Sequence, residues 1–142
     1  MLTEQFVLCI GVARNKGDLL CSLRVYDFSS FLGGERDDFD YKCFCKCRDL
    51  SADPVDLWQV VPAHFDGVSG LIMLVDEEGL LHDPQDPFNP VASVSANIGY
   101  PICGDVFIVR DKGEDMQFLS MSDLKAIFSN FELDVPKPIS VH

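Results

Sequence analysis

The chain has 142 residues, and 11 Lys and Arg against 23 Asp and Glu leave a formal charge of −12. Hydrophobic residues make up 47%, enough for the packed core of one domain and too many for a disordered chain. No run of about 18 apolar residues is free of charge, so no membrane-spanning helix is expected. A basic nucleic-acid-binding surface is not expected at this charge either.

The chain starts Met1-Leu2-Thr3-Glu4-Gln5, with no basic segment ahead of its first apolar run. No secretory leader is expected, and the cytoplasm is the expected location. The six cysteines are too small a share to suggest a disulfide scaffold in a chain with hydrophobes enough to fold without one. They are expected to be reduced, mostly buried small hydrophobes.

Residues 5–13 read as a buried strand, β-branched and aromatic with almost no polar positions. Arg14-Asn15-Lys16-Gly17 reads as a turn. In residues 18–28, Cys21, Leu23 and Val25 alternate with Ser22, Arg24 and Tyr26, which completes an N-terminal β-hairpin. Gly33-Gly34-Glu35-Arg36-Asp37-Asp38 is a polar loop. Residues 39–48 alternate again, placing Phe39, Tyr41, Cys43, Cys45 and Cys47 on one face, so a half-exposed strand with a basic outer face is expected. Asp53 and Pro54 suit a helix start, and a short helix from Val55 to about Val61 is expected to stop at Pro62.

Leu71 to Val75 reads as a strand, Asp76-Glu77-Glu78-Gly79 as a turn, and Leu80-Leu81-His82 as its return, a second hairpin. Asp83 to Phe88 is a Pro-rich loop. Asn89-Pro90 caps and opens a helical turn through Ala96. Val106 to Val109 is a strand, and the acidic turn from Asp111 to Asp115 leads into Gln117-Phe118-Leu119. The clearest helix follows. Ser120 or Ser122 caps it, Asp123 favours its first turn, and Leu124, Ile127, Phe128 and Phe131 share one apolar face. Pro136 and Pro138 end regular structure. The expected architecture is one α+β domain over 1–135, a mostly antiparallel sheet with two or three short helices, and a loosely held tail over 136–142.

From Val75 to about Phe128 the order of features is distinctive. Asp76-Glu77-Glu78-Gly79-Leu80 comes first, then Asn89-Pro90-Val91-Ala92-Ser93. Ile102-Cys103-Gly104-Asp105 then opens an apolar strand, and Phe118-Leu119-Ser120 follows an acidic turn. This stretch, a little over a third of the chain, resembles the DUF3846 type, a small domain family of unknown function common on phages and conjugative elements. The family carries no established chemistry. The resemblance implies a setting, a bacterial mobile genetic element, where small acidic proteins counter host restriction or CRISPR defences.

Cys43-x-Cys45-x-Cys47 is the most conspicuous motif. On a strand its neighbouring members lie about 6.6–7 Å apart, too spread for the tetrahedral site zinc prefers. Cys9, Cys21, Cys103 and His64 offer no second ligand pair, so no metal is expected. His64, His82 and His142 are the only bases for a thiol nucleophile, and none has the context that thiolate catalysis needs. The carboxylate pairs Asp37/Asp38, Glu77/Glu78 and Glu114/Asp115 all fall in turns, as solvated surface rather than acid–base machinery. No phosphate-cradling Gly loop is present. No catalytic residue, enzymatic activity or cofactor is expected.

Charge is more informative. Acidic groups recur at Glu35, Asp37, Asp38 and Asp40, at Asp76, Glu77 and Glu78, at Asp83 and Asp86, at Asp111, Glu114 and Asp115, and at Glu132 and Asp134. Several of these turns are expected to share one end of the sheet. Carboxylates at such density attract a basic nucleic-acid channel over long range. Phe28, Phe31, Phe39, Phe44 and Trp58 offer interface anchors, with at least half of them in the core. The expected function is an acidic protein-binding inhibitor from a mobile element. Its partner would be a basic, nucleic-acid-binding host defence protein, a CRISPR nuclease or restriction enzyme, engaged by mimicry of DNA charge. Glu35, Asp37, Asp38, Asp40, Asp76, Glu77 and Glu78 are the expected contacts, with no direct nucleic acid and no membrane. The alternative is an accessory regulatory or small-molecule-binding domain of a mobile element with no inhibitory role.

Overall fold

The computed structural model describes residues 4–12, 21–33, 38–52, 55–79, 81 and 86–142. The expected turn at 14–17, the helix start at 53–54, Glu35, Asp37, Leu80, His82 and the loop residues 83–85 lie outside them.

The first hairpin forms as its pattern indicates. β1 (Phe6–Val12) pairs antiparallel with β2 (Cys21–Asp27) in unbroken register from Phe6↔Asp27 to Val12↔Cys21. A short helix α1 (Ser29–Leu32) follows and ends at Gly33, whose positive φ of 63° suits a left-handed cap.

Residues 41–50 are not a strand but the helix α2 (Tyr41–Leu50). Asp40 starts it by accepting the Cys43 N–H at 3.2 Å. The alternating pattern also contains a spacing of four: Phe39, Cys43 and Cys47 recur at i, i+4, i+8 and are all buried. Cys45 lies on the other side, half-buried, and Arg48 stands in the last turn, where a cation favours the helix.

The expected helix at 55–61 is replaced by a strand, β3 (Trp58–Phe65). It pairs antiparallel with β4 (Val68–Asp76) from Trp58↔Asp76 to Ala63↔Leu71. Val61 and Ala63 point inward, while Val60, Pro62 and His64 are exposed. Pro62 is tolerated because β3 is an edge strand. The hairpin turn accordingly lies before β4, at Asp66-Gly67, where Gly67 has φ 86°. The Asp76–Gly79 turn after β4 does not begin a returning strand at residue 81.

The rest follows the reading closely. α3 (Pro90–Ala96) is capped by Asn89. β5 (Val106–Lys112) turns into β6 (Asp115–Gln117). α4 (Met121–Ser129) has a capping box in which Ser120 and Asp123 satisfy each other's backbone N–H. The tail is held at its end. β7 (Ile139–Ser140) pairs parallel with β2, Val141 donates its N–H to Asp27 O, and its side chain is buried.

The chain is therefore a single α+β domain, its sheet ordered β3-β4-β5-β1-β2-β7. Every pairing along that path is antiparallel except β2–β7. β6 takes the edge of β5 that β1 leaves, and Leu119 then bridges Phe6. Because side chains alternate across a strand, each central strand feeds two cores. Leu8, Ile10, Met73, Val106 and Ile108 pack toward α3 and α4. Val7, Cys9, Leu74, Phe107 and Val109 pack with Phe28, Phe39, Cys43 and Cys47 on the other face. Phe28 and Phe39 each lie 5.5 Å from Phe118, centroid to centroid, and Phe39 lies 5.0 Å from Phe44. Trp58 stacks edge-on against Phe107 and donates to Phe44 O. These aromatics hold the second core together rather than forming an exposed cluster. No helix among the described residues is long and apolar enough to cross a membrane.

Candidate functional site

Strand register places the acidic turns. β4 runs from Val68 to Asp76, antiparallel to both β3 and β5. Its far end carries Asp76, Glu77 and Glu78. Arg110 of β5 pairs with Leu71 on one side and Gln117 on the other, and Gln117 bridges Asp38. Asp38 therefore lies level with the beginning of β4, beside the β5–β6 turn that carries Asp111, Glu114 and Asp115. Five residues of strand separate Leu71 from Asp76, roughly 16–17 Å. Among the described residues, Asp38 and the β5–β6 turn share one end of the sheet, while Asp76, Glu77 and Glu78 lie at the opposite end.

The expected contact residues divide accordingly. Glu35 and Asp37 lie outside the described residues. Asp38 is exposed, together with Asp111, Glu114 and Asp115. Asp40 is half-buried and spends its carboxylate capping α2. Asp76 is buried and accepts the Glu78 N–H at 3.0 Å, so it shapes its own turn. Glu77 and Glu78 are exposed at the other end. In the β5–β6 turn, Asp111 accepts the Gly113 N–H at 3.1 Å and Gly113 has φ 78°. The turn is held by its own backbone chemistry, which leaves Glu114 and Asp115 facing solvent.

The buried polar groups are structural. Asp105 is 2% exposed and receives the Val12 and Ala52 N–H groups, each at 3.1 Å, one on each carboxylate oxygen. Arg24 faces it at 3.9 Å and donates to Cys9 Sγ at 3.7 Å. Burial opposes the Arg24 charge, but Cys9, Tyr26 and Asp105 outweigh it and raise its pKa above the usual value. Asn89 is fully buried. It donates to Ile10 O and Gly104 O and accepts the Ala92 N–H. Gly104-Asp105 and Asn89-Pro90 stand out in the sequence, yet nothing local says that they reach across to β1.

The thiols are equally quiet. Burial pushes the Cys47 thiol up, with Cys9 and Cys43 adding to the shift, so it is held as a neutral thiol rather than a nucleophile. Among the described residues no group of three or more His, Cys, Asp or Glu is placed to hold a metal ion.

An apolar groove was not foreseen. It encloses about 960 Å3 between β2, α3 and the chain that follows α4. Cys21 and Leu23 line its β2 side, Val91 and Val94 one wall, and Phe131 and Leu133 the other. Val94 is 80% exposed and Leu133 55%. The sequence signal was faint: Val91 and Val94 are spaced to share the outer side of a short helix, and Leu133 follows the end of α4. No protein-family model, curated protein or solved structure matches the chain.

Proposed function

We propose that this is a cytoplasmic binding protein whose partner is a basic protein that handles nucleic acid. The observation that carries the reading is the grouping of exposed Asp38, Asp111, Glu114 and Asp115 at one end of the sheet. Four carboxylates around one hairpin, in a chain of charge −12, attract Lys and Arg over about a Debye length and steer encounter. The contact is one acidic end rather than DNA mimicry by every acidic turn together, since Asp76, Glu77 and Glu78 point away from it. The mobile-element setting that the stretch 75–128 implies makes a defence nuclease, of the CRISPR or restriction type, the concrete partner. The role is then inhibition by occupying its nucleic-acid channel.

The test is capture from host lysate at low and high salt, with mass spectrometry, followed by affinity measurement on the purified partner. Reversing Asp38, Asp111, Glu114 and Asp115 to Lys together should weaken binding at least about tenfold at low salt and flatten its salt dependence. Reversing Glu77 and Glu78 should change it little. Equal effects of the two sets, with both variants folded, would remove the hairpin end as the site. Failure to retain any nucleic-acid-handling protein would remove the partner class.

A further inference from the structure

The two edges of the sheet are built differently. At the β3 edge, Pro62 removes a backbone donor and the register shifts between Ala63 and Phe65. Both features discourage a further strand. β2 has neither: it contains no Pro, and its register with β1 is unbroken over all seven residues. On its outer side β7 covers only Tyr26 and Asp27. From Cys21 to Val25 the outer edge has no partner strand among the described residues, and no described backbone group outside the sheet bonds to it there.

The apolar groove lies directly beside that open edge. Cys21 and Leu23, which line it, alternate along β2 on the face packed toward α3 and α4. A strand laid against β2 would send its alternate side chains to the same face. They would meet Val91, Val94, Phe131 and Leu133. An open edge for backbone bonds beside a trough for every second side chain is the arrangement of peptide recognition by strand addition.

The net charge of the chain selects the occupant. Asp134 lies on the groove wall and Glu132 two residues before it, both exposed. The neighbouring cleft beyond α4 is bordered by Lys125 and Lys137 together with Glu132 and Asp134. A second copy would bring another −12 against this one. An apolar segment flanked by Lys or Arg is attracted. We infer that the outer edge of β2 and the adjoining groove capture an extended, apolar, cation-flanked segment of a partner protein as an added strand in line with β7. The inference names a second contact on the basic partner proposed above, and its test does not require that partner.

The probe is the peptide Lys-Lys-Val-Thr-Val-Thr-Val-Lys-Lys, titrated into the full chain with backbone amide NMR. It is compared with the same peptide carrying Glu flanks and with one N-methylated at alternate residues. Saturable shifts are expected at Cys21 to Val25, Val91, Val94 and Leu133. The Glu-flanked and N-methylated peptides should each bind at least about tenfold more weakly. Val94→Glu and Leu133→Glu, both at exposed positions, should abolish binding while leaving the rest of the spectrum in place. Four results overturn the inference: no saturation up to millimolar peptide, equal binding of the N-methylated form, shifts confined to other surfaces, or concentration-dependent self-association through β2. Displacement of an apolar dye from the groove without shifts along β2 also overturns it and leaves a small-ligand site. Peptide binding unaffected by reversal of Asp38, Asp111, Glu114 and Asp115 separates the two proposals, so either can fail alone.

Discussion

Asn89 is the position where a conservative replacement should do most harm. At an ordinary N-cap, Asn and Asp are nearly equivalent, and Asn89→Asp keeps the oxygen that accepts the Ala92 N–H at 3.1 Å. Here the side-chain NH2 also donates to Ile10 O at 3.1 Å and Gly104 O at 2.9 Å, in a residue with no exposed surface. Asn89→Asp sets a carboxylate oxygen against those two carbonyls. Two lost hydrogen bonds cost about 1 kcal/mol each, and an unpaired buried acceptor adds about 1–3 more. A carboxylate without a cation then costs more again, until its pKa rises enough to neutralise it. The expected loss at pH 7 is about 4 kcal/mol or more, read as a shift in the midpoint of urea unfolding. Asn89→Ala should lose about 3–5 kcal/mol, combining the cap with two unsatisfied carbonyls. The sign of the pH effect is distinctive. The introduced carboxyl has a folded-state pKa above its unfolded value near 3.9. Its charge penalty is therefore absent below about pH 4 and grows as pH rises toward the folded-state pKa. If Asn89→Asp unfolds within 1 kcal/mol of the parent at pH 7, or shows no relative recovery in acid, the account of Asn89 as a donor to β1 is wrong.

Asp123 should show the opposite pH dependence. Burial opposes its charge, but the Ser120 N–H and the Arg110 guanidinium outweigh it and hold its pKa below the usual 3.8. Its contribution is therefore present above pH 3.8 and is lost as pH falls through the lower folded-state value. Arg110→Met should remove part of that acid-sensitive contribution, measured as a smaller difference between unfolding midpoints at pH 6 and pH 3. An unchanged difference would show that Arg110 does not hold the carboxylate. The thiols make a separate prediction. A disulfide reagent added to the folded protein should modify Cys21 and Cys45 quickly, both being half-buried, while Cys9, Cys43, Cys47 and Cys103 react only on unfolding. Rapid labelling of Cys43 or Cys47 would contradict the packing of α2 onto the sheet.

Segments whose local signals agree were legible. In α4 the cap, the first-turn acid and the apolar spacing all indicate one helix. In β1 an unbroken apolar run, and in β2 alternation, each indicate a strand. Residues 39–48 were misread because Cys43, Cys45 and Cys47 fit a period of two while Phe39, Cys43 and Cys47 fit a spacing of four. The Asp40 cap and the second core select the latter. Over 55–61, Pro62 suggests the stop of a short helix, but the same residue is acceptable in an edge strand, and pairing with β4 makes Trp58–Phe65 a strand.

Composition and local chemistry determined that this chain packs a core, carries a strong negative charge and builds an α+β domain with well-capped helices. These properties depend on each residue and its near neighbours, so they survive without knowledge of what lies across the sheet. Tertiary structure alone decided which acidic turns meet. Strand order and direction send Asp38 and the β5–β6 turn to one end, and Asp76, Glu77 and Glu78 to the other. It also decided that Asn89 and Asp105 hold β1, and that β7 covers only Tyr26 and Asp27 of β2, with an apolar groove beside the rest. Those relations arise from pairings between residues up to 113 positions apart, as in Tyr26↔Ile139, over which no local periodicity carries information.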